Sequence, residues 1–285
     1  MKWAPSRAAT GRGERWGVAI FALFFMGLFA AELVRQFSPV KLSVLFMIFY
    51  IVPLTALHEA GHAVVSHVLD WKVCRIVVGY GRPVLRVRIR DVPVDVRMLP
   101  LGGHVLVAPR ALRRPRLESM AIYAAGLGAE VALAAVVTVA VGVERMLQRT
   151  ESIGVIAAQA LVVLVLVDLF SNLVPLPVET ERGEGLTDGL GIVLSPFLPR
   201  SHFVSLMALP WSERAARAAS RERRIEIYRE GVAALPDNPF LRLRLADELF
   251  EAGELFEARE ERLRALESPE LPDAMRRKLR EQLGQ

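Results

Sequence analysis

Pro53-Leu54-Thr55-Ala56-Leu57-His58-Glu59-Ala60-Gly61-His62-Ala63-Val64-Val65 sets two imidazoles and a carboxylate inside an apolar run, Leu42 to Leu69, whose single formal charge is Glu59. On a helix, residues four apart share a face, so His58 and His62 can turn toward one metal ion. Glu59, one position on, can reach a water held by that ion. This is the HExxH spacing of zinc hydrolases, with two imidazole ligands and a carboxylate as general base. The setting decides the fold, because the run is long and apolar enough for a membrane helix.

Three further runs share that character: Gly17 to Val34 with Glu32 near its end, Ser119 to Val143 with Glu130 alone, and Ser152 to Val178 with Asp168 alone. About 20 apolar residues cross a bilayer, so all are long enough. The fold class read from them is a mainly α, polytopic membrane protein with about four transmembrane helices. No small-residue cleavage pattern follows the first run, which is therefore read as an anchor rather than a signal peptide. A hydrophobic content of 53% in 285 residues excludes an ordinary soluble domain of this size. Cys74 is the single cysteine, which excludes a disulfide framework and a thiolate zinc site.

The net charge of +5 would suit nucleic acid, but its distribution points elsewhere. Lys2, Arg7, Arg12 and Arg15 precede the first run, whereas only Arg35 and Lys41 follow it and only Arg145 and Arg149 follow the third. Between the second and third runs lie Lys72, Arg75, Arg82, Arg86, Arg88, Arg90, Arg97, Arg110, Arg113, Arg114 and Arg116. The positive-inside rule then puts the N-terminus, this basic segment and the C-terminal tail on the cytoplasmic side. The expected location is a bacterial cytoplasmic membrane, with the bilayer and not nucleic acid as partner. The cluster Arg110 to Arg116 can also meet anionic headgroups.

Within the basic segment, Val73 to Val107 reads as short strands. Val84, Val87 and Ile89 interleave with arginines, and Val92, Val94 and Val96 alternate with Pro93, Asp95 and Arg97. A small sheet at the cytoplasmic membrane surface follows. An open edge could pair with an extended substrate strand, although a plain surface hairpin fits equally well.

A catalytic zinc usually has three protein ligands and a water. His67 lies five positions beyond His62, off the metal-binding face, and His104 follows the turn Gly102-Gly103, so neither reads as a ligand. Carboxylates are better candidates. Asp188 stands in Thr187-Asp188-Gly189, where Thr187 can cap a helix through Leu190 to Leu194. It follows Asn172-Leu173-Val174-Pro175-Leu176-Pro177, whose prolines end the fourth span.

His58 to His62 in an apolar span, Leu99-Pro100-Leu101-Gly102-Gly103-His104-Val105, Ala125-Gly126-Leu127-Gly128-Ala129-Glu130, and Asn172 to Pro177 with Asp188-Gly189 follow one another in a recognisable order. Over about Leu42 to Leu198 the chain resembles the site-2 protease family of intramembrane zinc metallopeptidases. The resemblance implies one zinc per chain, held by His58, His62 and Asp188, with Glu59 as catalytic base. It implies that Asn172 positions substrate or stabilises the tetrahedral intermediate, and that the substrate is a transmembrane segment of another, regulatory, protein. Two departures stand out. Val178 to Thr187, charged and glycine-rich, intervenes where the family runs almost directly into its aspartate-glycine pair; it reads as a loop insertion, and Glu179, Glu181 and Glu184 become rival third ligands. Leu127 and Glu130 stand where the family usually has proline and asparagine. Glu130 and Asp168, costly at membrane depth, are read as facing the bundle interior, where they support a zinc-bound histidine or hydrogen-bond between helices.

After Pro199 the composition turns charged and alanine-rich. Arg223 to Pro236 resembles the second helix of a tetratricopeptide repeat, and a next unit near Pro239 puts Ala246, Gly253 and Ala258 at the small positions where its helices touch. One and a half repeats need further packing for stability, and a generic helical hairpin is the simpler alternative. The domain reading is residues 1–41 as cytoplasmic N-terminus and anchor, 42–207 as metallopeptidase core, and 208–285 as a cytoplasmic helical tail that docks a protein partner. The expected function is intramembrane zinc endopeptidase. The competing one is a membrane-anchored adaptor with a vestigial metal site, against which the intact Glu59 between two imidazoles argues.

Overall fold

The computed structural model describes residues 27–29, 31–35, 37–175, 177–180 and 183–284. The expected first span, Gly17 to Val34, lies mostly outside them; residues 27–29 and 31–35 are helical. The described residues group into two units. One takes those up to Leu54 together with Glu130–Leu190, the other Thr55–Ala129 and Gly191 onward.

Among the described residues three helices are long and apolar enough to cross a membrane: Pro39–Val68, Pro115–Val141 and Ile153–Leu173, with mean hydropathies of 2.1, 2.0 and 2.6. The first comprises a short 3-10 turn, Pro39–Lys41, and α1, Leu42–Val68. The second is α2, Pro115–Val141, which begins one turn before the expected Ser119 because Pro115 suits a first helical position, where no N–H is needed. A short helix α3, Val143–Leu147, follows Gly142, and α4 runs Ile153–Leu173. Ile48, Phe49, Val136, Val139, Val167 and Phe170 are all exposed. Helices this apolar on their outer faces are at home in lipid rather than in water.

In the first unit α4 stops at Leu173, and Val174 turns extended ahead of Pro175, a residue before proline being disfavoured in helix. The chain then makes a hairpin of β3, Pro177–Thr180, and β4, Gly183–Leu186, paired antiparallel from Pro177↔Leu186 to Thr180↔Gly183. Within the stretch Val178 to Thr187, expected as a loop, residues 178–180 and 183–186 instead pair as a ribbon. Because the hairpin closes on itself, its end returns to its start. Thr187 Oγ1 donates to the Val174 carbonyl at 2.9 Å, and Gly189 lies so close to the Leu173 carbonyl that a side chain there would collide with it.

In the second unit β1, Trp71–Ile89, pairs antiparallel with β2, Val92–Pro109. Both bend, and Ile76, Val77 and Val78 align with Val105, His104 and Gly103 on one side and Val94, Asp95 and Val96 on the other. The doubly flanked run is the buried heart of the sheet, whereas the outer turn of hairpin around Arg90 and Asp91 is exposed. The hairpin turns on two left-handed residues, Arg90 (φ 45°) and Asp91 (φ 70°). Buried Asp95 is paired with Arg75.

Helix α5, Asp188–Leu194, leads through a 3-10 turn, Ser195–Phe197, into α6, Arg200–Met207, and α7, Leu209–Ala215. Phe203 of α6 is fully buried with Trp71 and Ile122, their cluster extended by Val65, Leu69, Val107 and Leu112. The helical tail is α8, Arg221–Ala234, α9, Pro239–Ala252, α10, Leu255–Glu267, and α11, Asp273–Leu283. Ser220 caps α8 by accepting from the Arg223 N–H, and Asn238 caps α9 by accepting from Phe240 at 3.0 Å and Leu241 at 3.2 Å. Ile225, Tyr228, Leu241, Leu245, Leu249 and Ala258 form its core. Ala246 and Ala258 are buried, as expected of small contact positions, but Gly253 is not one of these. It closes α9 in the left-handed conformation (φ 87°) with open space where a side chain would stand.

His202 in α6 lies beside Phe203, ring centroids 5.3 Å apart, and burial lowers its pKa from 6.5. A lowered folded-state pKa means that the unfolded chain binds the proton more readily. Stability is therefore full above the unfolded value and is lost as pH falls through it toward the folded one. Thermal unfolding of the detergent-solubilised protein is expected to shift downward between about pH 7.5 and 5.5, with a shallower slope in His202→Gln.

Candidate metal centre

His58, Glu59 and His62 sit in the second half of α1, and all three are buried although the helix is otherwise largely exposed. Four-residue spacing sets the imidazoles edge to face, their ring centroids 4.8 Å apart at 74°. Their Nε2 atoms converge on Gly126 of α2. A Cβ there would lie 2.5 Å from His58 Nε2 and 2.6 Å from His62 Nε2. The place a side chain would fill is thus left to whatever the two nitrogens share.

The same approach requires a second glycine on the facing helix. A Cβ on Gly61 would stand 2.5 Å from the Ala125 carbonyl and 3.1 Å from the Ala129 Cβ. Glycine within a helix costs up to about 1 kcal/mol relative to alanine, so a close approach of backbones is what this position gains. His62 is oriented from the other side of its ring, Nδ1 lying 2.6 Å from the Ile122 carbonyl. A carbonyl only accepts, so Nδ1 carries the proton and Nε2 presents its lone pair, the tautomer a metal requires.

Glu59 meets the sheet. A Cβ at Gly103 would be 2.6 Å from Glu59 Oε1 and would collide with the Val77 carbonyl. The bare backbone at Gly103 therefore admits the carboxylate against the edge of β2. Gly102 beside it takes φ 72°, and the Tyr80 ring packs over it, a Cβ there coming within 3.1 Å of that ring.

Asp188 opens α5 and is buried; Thr187 caps that helix as the sequence suggests, its Oγ1 accepting from the Leu190 N–H at 3.3 Å. Asn172 and Asp168 share a face of α4, the Asn172 carboxamide donating to Asp168 Oδ2 at 2.9 Å and to the Asp168 carbonyl at 3.2 Å. That bond lies within one helix. Glu130 is fully buried. Glu130, Asp168 and Asp188 belong to the first unit, and His58, Glu59 and His62 to the second. Of the rival ligands, Glu181 lies outside the described residues, and Glu179 and Glu184 are described only as backbone of the β3–β4 hairpin.

Sequence reasoning did not single out Gly61, Gly103 and Gly126 as parts of the site. Each stood within a quoted motif; for Gly61 and Gly126 the signal available was a glycine inside a helix with no turn to explain it, whereas Gly103 read as half of a turn.

Residues 46–178 match the family model described as Peptidase family M50. The matched stretch begins within α1, ahead of the HExxH residues, and ends in β3, just short of Asp188. The chain is also similar to the Neisseria meningitidis protein named "Putative zinc metalloprotease NMA0084", 38% identical over 63 residues, which are 22% of this chain and 14% of that one. The aligned stretch is thus a small part of the relative's length. The matched family model is described as one of peptidases, and the relative is named a zinc metalloprotease.

Gly126→Ala fills the convergence point of the imidazoles. It is expected to lower bound metal at least about tenfold, read by atomic spectroscopy, while overpacking costs about 1–3 kcal/mol of stability. Gly103→Ala, whose Cβ would collide with the Val77 carbonyl and crowd Glu59, is expected to cost about 1–3 kcal/mol of stability, read by thermal unfolding.

Proposed function

We propose that this chain is an intramembrane zinc endopeptidase that cleaves transmembrane segments of membrane-bound regulatory proteins. The observation that carries the reading is the convergence of His58 and His62 Nε2 on the bare backbone of Gly126, with buried Glu59 beside them, inside a helix apolar enough to span a bilayer. Histidine nitrogens and a carboxylate are donors that suit zinc, and the open cradle at Gly126 fits an ion. In this reading His58, His62 and Asp188 hold one zinc. A zinc so held lowers the pKa of its water to about 7 and polarises a carbonyl oxygen.

The protein's own groups do the rest. The Ile122 carbonyl keeps the proton of His62 on Nδ1. Glu59 takes a proton from the attacking water and returns it to the leaving amine. Its burial against Gly103 gives it a fixed place from which to do so. Asn172, its carboxamide tethered by Asp168, positions the substrate backbone, and Glu130 with Asp168 supports the histidines. A helical substrate has every backbone group paired, so it must unwind before a peptide bond is accessible. Segments containing glycine or proline are therefore the preferred substrates.

The arginine distribution supports a cytoplasmic N-terminus, sheet and tail in a bacterial cytoplasmic membrane. The run of helices α8 to α11, the first two capped by Ser220 and Asn238, supports a tetratricopeptide-like tail that docks a protein partner.

Three proteins reconstituted in liposomes test this: wild type, Glu59→Gln and Asp188→Asn. Wild type is expected to bind one zinc and to cleave a transmembrane substrate. Glu59→Gln should keep its zinc and lose at least about 100-fold in rate, whereas Asp188→Asn should lose zinc and activity together. Unimpaired cleavage by Glu59→Gln would sink the protease mechanism, and full zinc in Asp188→Asn would move the third ligand elsewhere.

A further inference from the structure

The carbonyl that orients His62 is itself held in place by a run of contacts leading to the helical tail. Ile122 lies on a face of α2 clamped, turn by turn, to the segment from Gly191 to Phe203. Arg116 Nε donates to the Leu198 carbonyl at 3.0 Å, Ser119 Oγ meets Ser195 Oγ at 3.0 Å, and Ile122 packs with fully buried Phe203. Positions 116, 119 and 122 recur every three residues, one stripe of a helix. At Tyr123, beside that stripe, the clamp is tightest: a Cβ on Gly191 would come within 2.5 Å of the tyrosine ring.

The far end of the clamp is α6, and α6 is tied to the tail. The next residue after Phe203 is Val204, whose carbonyl accepts from the buried Asn238 carboxamide at 2.8 Å. Asn238 uses its other end, Oδ1, to cap α9. One side chain thus joins the start of α9 to the middle of α6. A second, more exposed tie runs from Arg200 of α6 to Glu270 at 2.9 Å, and a groove of about 850 Å³ lined by Arg200, Val204, Asn238 and Arg242 lies beside the joint.

The geometry points to Asn238 as a positioning residue for the metal centre, through which the state of the tail sets the orientation of His62. Asn238 holds α6, Phe203 of α6 holds Ile122, and the Ile122 carbonyl holds the Nδ1–H of His62. A partner that pulls the tail from α6 loosens that hydrogen bond and weakens the metal site. The inference rests on the reading of His62 as a zinc ligand.

The test uses full-length protein in nanodiscs, with Zn2+ titrated against a fluorescent chelator and the His62 Nδ1–H followed by 15N-histidine NMR. Asn238→Asp keeps the capping oxygen but loses the donor to Val204, and Asn238→Ala loses both. Both are expected to weaken zinc binding by roughly tenfold, the lower end of the effect of losing support to a ligand, and to broaden or shift the His62 Nδ1–H signal. Arg224→Ala, which breaks the Arg224–Glu248 pair within the tail at 2.9 Å but leaves the Asn238–Val204 bond in place, should leave both readouts near wild type. An unchanged zinc affinity and an unchanged His62 signal in a folded Asn238→Asp would overturn the coupling. Absence of zinc binding in wild type, matched by His62→Ala, would instead overturn the zinc reading, and the His62 signal in apo protein would still decide the coupling.

Discussion

Two helices of this chain touch without side chains at the contact, and the candidate site depends on that touch. Gly61 of α1 lies against the Ala125 carbonyl of α2, and the two imidazoles one turn apart on α1 reach Gly126 next to it. An apolar span offers no solvent to satisfy polar groups, so a metal, its water and a carboxylate can be kept there only in space the protein reserves. The reservation is made by omission. Each glycine at the site gives up helix or strand stability in exchange for room where a nitrogen, a carboxylate or a carbonyl must stand.

That arrangement is then secured from the sheet and the segment that follows α5 rather than from the apolar helices alone. The sheet presents Gly103 to Glu59, and Trp71 at its start packs with Ile122 and Phe203 while its indole N–H donates to Glu118 at 2.8 Å. The same cluster therefore joins the end of α1, the sheet, α2 and α6. Stiffness around a catalytic group matters because small displacements of a ligand or base are costly in rate.

Much of this was legible in the chain. Hydropathy located α1, α2 and α4 to within a few residues, since twenty apolar residues with one charge leave little else to be. Four-residue spacing brought His58 and His62 together, and valine alternation found the sheet. Thr187 read correctly as a cap because capping is local chemistry. The glycines at the site were less legible, because a glycine's value lies in a neighbour that sequence does not name. The β3–β4 hairpin was read as a loop because its strands are four residues long, charged and glycine-containing, with no apolar face to alternate. Gly253 was taken for a helix contact because its place in a repeat-like pattern said so, while its left-handed conformation was invisible. The ties between α2, α6 and Asn238 span more than thirty residues each and have no periodicity to betray them.

The β3–β4 hairpin has a consequence for how this chain could vary. Its two ends meet at Pro177 and Leu186, and the anchoring of Thr187 and Gly189 to the end of α4 does not pass through its tip. Lengthening or shortening such a ribbon by a pair of residues changes only how far it protrudes. The aspartate's location is thereby uncoupled from the size of what precedes it, and descendants of this sequence can elaborate the ribbon as freely as a surface decoration.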